Sequence, residues 1–165
     1  MGNQYTSIVR SPNAIHFVDP VRGYQCRLAE NGITPISLIH KGQFYIQPLF
    51  TKYNTPYVRS NGYRAKIMGF FDYFEQECVT ILQGGTYNSE SIDSFTFSYN
   101  ELRDAYCSFF DYHPEWALSV EDVPVSFVSG QLYIHDNTTN YATFYGESYG
   151  SSITLVFNKE EPVRS

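Results

Sequence analysis

The chain has 165 residues and a net charge of −6, from 11 basic and 17 acidic side chains. That length suits one domain with a core of its own, and Lys and Arg that never stand two in a row argue against a sequence-independent nucleic-acid binder, which needs them clustered. Rings dominate the composition: 15 Tyr, 13 Phe and a single Trp are residue types that fit pleated sheet and, where Tyr leads, half-wet surfaces and interfaces.

Residues 1–13 read as an irregular lead-in, because MGNQYTSIVRSPN shows no period and no apolar core segment of a secretory signal. Met1-Gly2 with Thr6 matches a myristoylation pattern that is common by chance. From residue 14 the chain predicts an antiparallel meander: AIHFVD, a turn at Pro20–Gly23, YQCRLA, a turn at Glu30-Asn31-Gly32, then ITPIS over 33–37. Asn31-Gly32 is the strongest short hairpin signal in the chain, since both residue types tolerate positive φ. Residues 38–63 mix helical spacing with Gly42 and Pro48, which predicts at most one or two helical turns followed by an exposed connection over 54–63.

Strands return with AKIMGFFD, ECVTIL and SFTFSYN, with a polar loop over 84–93 before the last of them. NELRDA (100–105) predicts a helical turn or a bulged link. The final third repeats one message: CSFFDY, WALSV, VSFV, QLYIHD, YATFYG and SITLVFN, divided by Pro114, Pro124, Ser129-Gly130, Asp136-Asn137 and Gly150-Ser151. Runs this short cannot be useful helices, so the expected class is all-β: antiparallel meanders, as partial propeller-like blades or a sandwich. The domain is expected to span 14–158, divisible into 14–63 and 64–158, with a tail at 159–165. No apolar run approaches a membrane span.

Three strand ends share two bulky residues and an aspartate, at Asp19, Asp72 and Asp111, 53 and 39 residues apart. Such a period matches propeller blades; equally, aspartate is how a strand enters a turn, because its carboxylate bonds the backbone just beyond. About three blades fall short of the four to eight that close a propeller. Their open edges would need cover from another copy or another chain.

No group of residues predicts catalysis. His135 and Asp136 would point to opposite faces of a strand; Asp111 and His113 could share a face, but Pro114 follows them and no third ligand stands at metal-site spacing. No serine sits in G-x-S-x-G, and Gly84-Gly85 and Gly146–Gly150 read as hairpin loops. Cys26, Cys78 and Cys107 are odd in number and widely spaced, which predicts free thiols. Asn137-Thr138-Thr139 matches a glycosylation acceptor without an export signal. No cofactor and no metal are expected.

The stretch NELRDAYCSFFDYHPE, then VSFVSGQLYIHDN, then TFYGESYGSSITLVFN resembles a segment of the large tail muzzle, or nozzle, proteins of crAss-like phages that infect Bacteroidetes. Upstream, IHFVDPVRGYQCRLAENGITPIS and KIMGFFDYFEQECVTIL look like the hairpin and blade strands of the same proteins. The resemblance implies a structural, non-enzymatic β-rich module at the DNA exit end of a virion tail, made in the bacterial cytoplasm and assembled with other tail proteins or with itself. An alternative expectation is a host-surface or glycan-binding module. Its candidate contacts are Tyr141, Phe144, Tyr145 and Tyr149 in a Tyr-rich stretch, together with Trp116 and the loop over 84–94.

Overall fold

The structure is a computed structural model that describes residues 5–40, 42, 46–48, 66–87, 90–135, 143–148 and 150, with the side chains of 85–87 and 90–92 left aside. The predicted connection over 54–63, the strand SITLVFN and the tail 159–165 lie outside the described residues. Within them the protein is antiparallel β, with strands β1 (Val9–Arg10), β2 (Ile15–Asp19), β3 (Tyr24–Ala29), β4 (Gly32–Thr34), β5 (Lys66–Asp72), β6 (Glu77–Gln83), β7 (Gly85–Tyr87), β8 (Glu90–Ile92), β9 (Phe95–Asn100), β10 (Ala105–Phe110), β11 (Trp116–Val120), β12 (Val123–Val128), β13 (Gln131–Ile134), β14 (Thr143–Phe144) and β15 (Glu147–Ser148).

These strands form an N-terminal sheet in the order β1-β2-β3-β4, a central sheet β10-β9-β6-β5, an outer sheet β11-β12-β13, and the ribbons β7-β8 and β14-β15. Neither a closed barrel nor a propeller is formed by the described residues.

The central sheet is covered on both faces. Side chains alternate along β5, so Ile67 and Phe71 point one way, Met68 and Phe70 the other. On the first face Val18 of the N-terminal sheet packs with Ile46, Ile67, Leu82 and Phe97, and Val9 packs with Phe71 and Cys78. On the second face Ala117 of the outer sheet packs with Met68, Phe70, Val79 and Ile81. Burial on both sides is why KIMGFFD and ECVTIL read as continuous apolar runs. Gly69 leaves no room for a side chain: a Cβ there would lie 2.6 Å from the Val79 carbonyl oxygen and 2.8 Å from the Val9 side chain.

Buried Gln25 ties the N-terminal and central sheets, donating from Nε2 to Thr80 Oγ1 at 3.1 Å and accepting from the Tyr106 hydroxyl at 2.9 Å. Both ends of its amide are thereby satisfied, as burial of a polar group demands.

The aspartate repeat resolves into a turn rather than a blade. Asp19 Oδ1 accepts from the backbone N–H of Val21 and Arg22, and Asp72 Oδ1 accepts from Phe74 and Glu75. Both turns close with a residue at positive φ, Gly23 at 72° and Gln76 at 57°. The third copy is Asn100, whose Oδ1 accepts from Arg103 N at 2.8 Å, with Asp104 at φ 50°. Asp111 does not share the pattern: it is exposed where the chain leaves the central sheet for the outer one.

Other expectations are corrected in detail. The lead-in is not wholly irregular: Tyr5–Ser7 is a 3-10 turn and β1 pairs with β2, because Val9 can bury against Phe71. The strand drawn over 33–37 stops at Thr34, and Ile36–Ile39 is one turn of helix, since Pro35 cannot continue the ladder. Of the Asn31-Gly32 pair only Gly32 has positive φ. The polar loop over 84–93 contains the β7-β8 ribbon. Pro124 does not divide two strands but lies inside β12; its missing N–H faces the side where β13 has already ended, and its carbonyl accepts from His135 N at 2.9 Å.

Candidate functional site

The outer sheet is built by two tight turns. Glu121-Asp122 joins β11 to β12 with φ of 47° and 70°, and Ser129-Gly130 joins β12 to β13 with φ of 50° and 75°. Two consecutive positive φ values give the turn whose twist matches that of paired strands. Register then decides what each face carries. Trp116 pairs with Phe127 and Phe127 with Leu132, Leu118 with Val125 and Val125 with Ile134, and Val120 with Val123. All eight side chains lie on one face, and all eight are apolar.

The opposite face carries Ala117, Ser119, Pro124, Ser126, Val128, Gln131 and Tyr133. It is this small and polar face that turns inward. Ala117 and Ser126 are buried, and Ser126 Oγ lies 2.8 Å from His135 Nε2 and 3.1 Å from the Tyr145 hydroxyl. Ser119 Oγ donates to the Phe71 carbonyl at 2.7 Å and accepts from Phe71 N–H at 3.0 Å. Further along the same edge of β5, Thr6 Oγ1 donates to the Ile67 carbonyl. Two hydroxyl side chains thus occupy backbone groups at a sheet edge that was expected to need a neighbouring molecule.

The apolar face looks outward. Trp116 is 38 % exposed, Leu132 56 % and Ile134 60 %, and Val120 and Val123 are also exposed, while Val125 is buried among them. An outward face made wholly of apolar side chains is unusual on a water-facing surface. Among the described residues, charge stands only at its ends. Lys66 Nζ lies 5.6 Å from the centre of the Trp116 ring, and exposed Glu121 and Asp122 form the turn at the Val120–Val123 end.

Of the ring residues singled out in the sequence, Trp116 belongs to this face. Phe144 and Tyr145 are half-buried instead, Phe144 packed on buried Tyr112 at 4.8 Å and Tyr145 edge-on to it at 6.3 Å. Tyr145 also meets the edge of Tyr133 at 4.9 Å. Tyr141 and Tyr149, and part of the loop over 84–94, lie outside the described residues. The face's aliphatic members were missed. Aligning WALSV, VPVSFV and QLYI in hairpin register would have grouped them; that the group points away from the body has no signal in the sequence.

Two histidines are held among hydroxyl and ring side chains. His113 Nδ1 lies 3.1 Å from Thr96 Oγ1; burial lowers its pKa below 6.5, against the opposing charge of Asp111. His135 rests against Phe70 and Tyr112, and burial lowers its pKa likewise, Asp72 opposing.

A second network joins the N-terminal sheet to the turn after β9. Glu101 Oε1 accepts from Ser11 Oγ at 2.6 Å and lies 2.6 Å from Nε2 of His16, which is 1 % exposed. Burial on its own would raise the Glu101 pKa, but the hydrogen bonds from His16 and Ser11 outweigh it and hold the carboxyl below its usual range. Beside it Asp104 accepts from the Tyr99 hydroxyl and lies 3.3 Å from His40 Nε2 and 3.9 Å from Arg27 Nη1. Ser11 and His16 share one carboxylate oxygen, so no serine–histidine relay is formed. An open groove of about 580 Å³ beside Arg27, Asn13 and Glu101 carries no aromatic side chain among the described residues.

Among the described residues no cluster of three His, Cys, Asp or Glu side chains is arranged to hold a metal, and no helix is long and apolar enough to cross a membrane. Cys26, Cys78 and Cys107 are free thiols; burial raises the Cys26 pKa to about 11 and that of Cys78 further, which keeps both unreactive. Compared with protein-family models and with curated proteins, the chain finds no match.

Proposed function

We propose that this chain is a non-enzymatic structural module of a phage tail, working by assembly with its own copies or with other tail proteins at the DNA exit end. Synthesis in the bacterial host and residence in the virion follow from that reading. The single observation that carries the assembly part is the outward face of the outer sheet, eight apolar side chains at strand register with charge, among the described residues, only at the ends. The tail assignment draws on the resemblance of residues 100–158, and of the hairpins upstream, to muzzle proteins.

The glycan-binding alternative gains less support. Among its described ring candidates Phe144 and Tyr145 are half-buried, and Trp116 is paired in register with Phe127, with Lys66 Nζ 5.6 Å from its ring centre.

The test is co-expression with the products of the adjacent genes, followed by light scattering on the purified material. Assembly that is lost in Val120→Lys is the expected result. A protein that stays monomeric alone and beside those gene products would overturn the reading.

A further inference from the structure

We infer that the outward face of β11-β12-β13 pairs with the same face of a second copy, strands antiparallel across the contact. This rests on the assembly reading and adds the partner and its orientation.

Two independent gradients on the face select that arrangement. The first is size. At one end stand the wide side chains Trp116, Phe127 and Leu132, and at the other only Val120 and Val123. Sheets pack face to face about 10 Å apart, and their layer must be filled evenly. A two-fold axis in the plane of contact and across the strands lays the wide row of one copy on the narrow row of the other. An axis along the strands would set wide on wide, leaving a gap at the valine end.

The second gradient is charge, and it runs along the same direction. Lys66 and exposed Glu115 offset one another at the Trp116 end, whereas Glu121 with Asp122 makes the Val120 end acidic. The cross-strand axis brings each copy's ammonium toward the other's acidic turn, twice over by symmetry. The axis along the strands would bring acidic turn to acidic turn, which complementary interfaces avoid. The Glu121-Asp122 turn is fixed by its backbone, so its charges are held at the rim.

Size also sets the strength. Three strands about 4.8 Å apart and five residues at about 3.3 Å give a footprint of roughly 14 by 17 Å. That is well short of the ~800 Å² per partner of a stable free dimer. The pairing is therefore weak in solution. It becomes secure only where an assembly holds the copies together.

Sedimentation equilibrium on the full chain up to about 500 µM tests this. Expected is a monomer–dimer equilibrium that Val120→Lys weakens at least about tenfold and Lys66→Glu weakens about fivefold, with Lys66→Glu combined with Glu121→Lys restoring most of the loss. Circular dichroism of each variant checks the monomer; Ile134→Lys, at another exposed site of the face, should act like Val120→Lys. A monomer throughout the range, a dimer indifferent to face variants, or a charge swap that rescues nothing overturns the inference. The first result alongside intact co-assembly with adjacent gene products would leave the assembly reading standing.

Discussion

The central sheet and the outer sheet are built of similar apolar strands and yet live under opposite conditions. β5, β6 and β9 are covered on both faces, and the apolar residues of β5 and β6 run nearly without a break. β11 to β13 alternate cleanly, which ordinarily means apolar inward and polar outward. Here the small and hydroxyl-bearing face is inward and the apolar face outward. The inward face can be poor in hydrocarbon because its work is different: Ser119 seals the edge of β5 and Ser126 seats His135 and Tyr145. Alternation therefore reports that two faces differ, not which one the fold buries.

Truncation should separate the two regions most sharply. Phe71→Ala or Ile81→Ala, each fully buried in the central sheet, is expected to cost about 3–5 kcal/mol. Leu132→Ala or Ile134→Ala on the outward face should fall within about 1 kcal/mol at dilute concentration. Urea unfolding at a few micromolar measures both sets. Equal losses would mean that the outward face is buried within a single chain.

Gly69→Ala comes next. The added methyl would meet a backbone carbonyl of the central sheet at 2.6 Å and Val9 of the N-terminal sheet at 2.8 Å, so one sheet must move. Overpacking of this kind costs about 1–3 kcal/mol. Gly69→Ala with Val9→Ala should recover part of it, since one of the two clashes is then relieved. No recovery would locate the strain at the Val79 carbonyl alone.

The class of fold was legible because short aromatic runs and turn residues leave few alternatives. The turns at Asp19 and Asp72 were legible for the same reason, since an aspartate at a strand end bonds locally. The third copy at Asn100 was hidden behind Asp111, which shares the letters but not the pairing. Glu121-Asp122 was not legible as a two-residue turn, because glutamate seldom takes positive φ. Side chains that act across the sequence left no trace in it. Ser119 meets Phe71 across 48 residues, and His16 meets Glu101 across 85. The face that carries the proposed function lies between these cases. Its members alternate visibly, and Trp116 was singled out, but orientation is decided by how the outer sheet lands on Met68 and Phe70.

Ser119→Ala tests the join between the two sheets. It removes the only hydroxyl that meets both the N–H and the carbonyl of Phe71 in the bonds described, and a backbone pair left without partners costs about 1–3 kcal/mol. Ser119→Thr keeps the hydroxyl and should retain most of the stability. Hydrogen exchange at the Phe71 amide reads the same contact directly; unchanged protection in Ser119→Ala would show that the edge is sealed by something else.

Acid should loosen the two regions at different pH, with the smallest effect of the set. His135 lies under the outer sheet, and its pKa in the folded protein is below the 6.5 of a free histidine because burial disfavours the imidazolium. An unfolded chain therefore takes up the proton first, and stability present above pH 6.5 declines as pH falls through the folded value. Glu101 is held below 4.5 by His16 and Ser11 at the junction with the N-terminal sheet, so its share survives to lower pH and is lost only as the carboxylate protonates. His113 shifts in the same direction as His135, so the assignment needs both histidines tested singly. Urea midpoints at pH 7.5, about 5.5 and about 4 should show an upper step. His135→Gln should flatten it and His113→Gln should flatten it less, because His135 is the more enclosed of the two and its ring contacts bridge the central sheet and the outer one. A lower step that disappears in Glu101→Gln belongs to the N-terminal junction. If the upper step is unmoved by His135→Gln, proton uptake beneath the outer sheet is not what weakens it, and the two regions respond to acid as one.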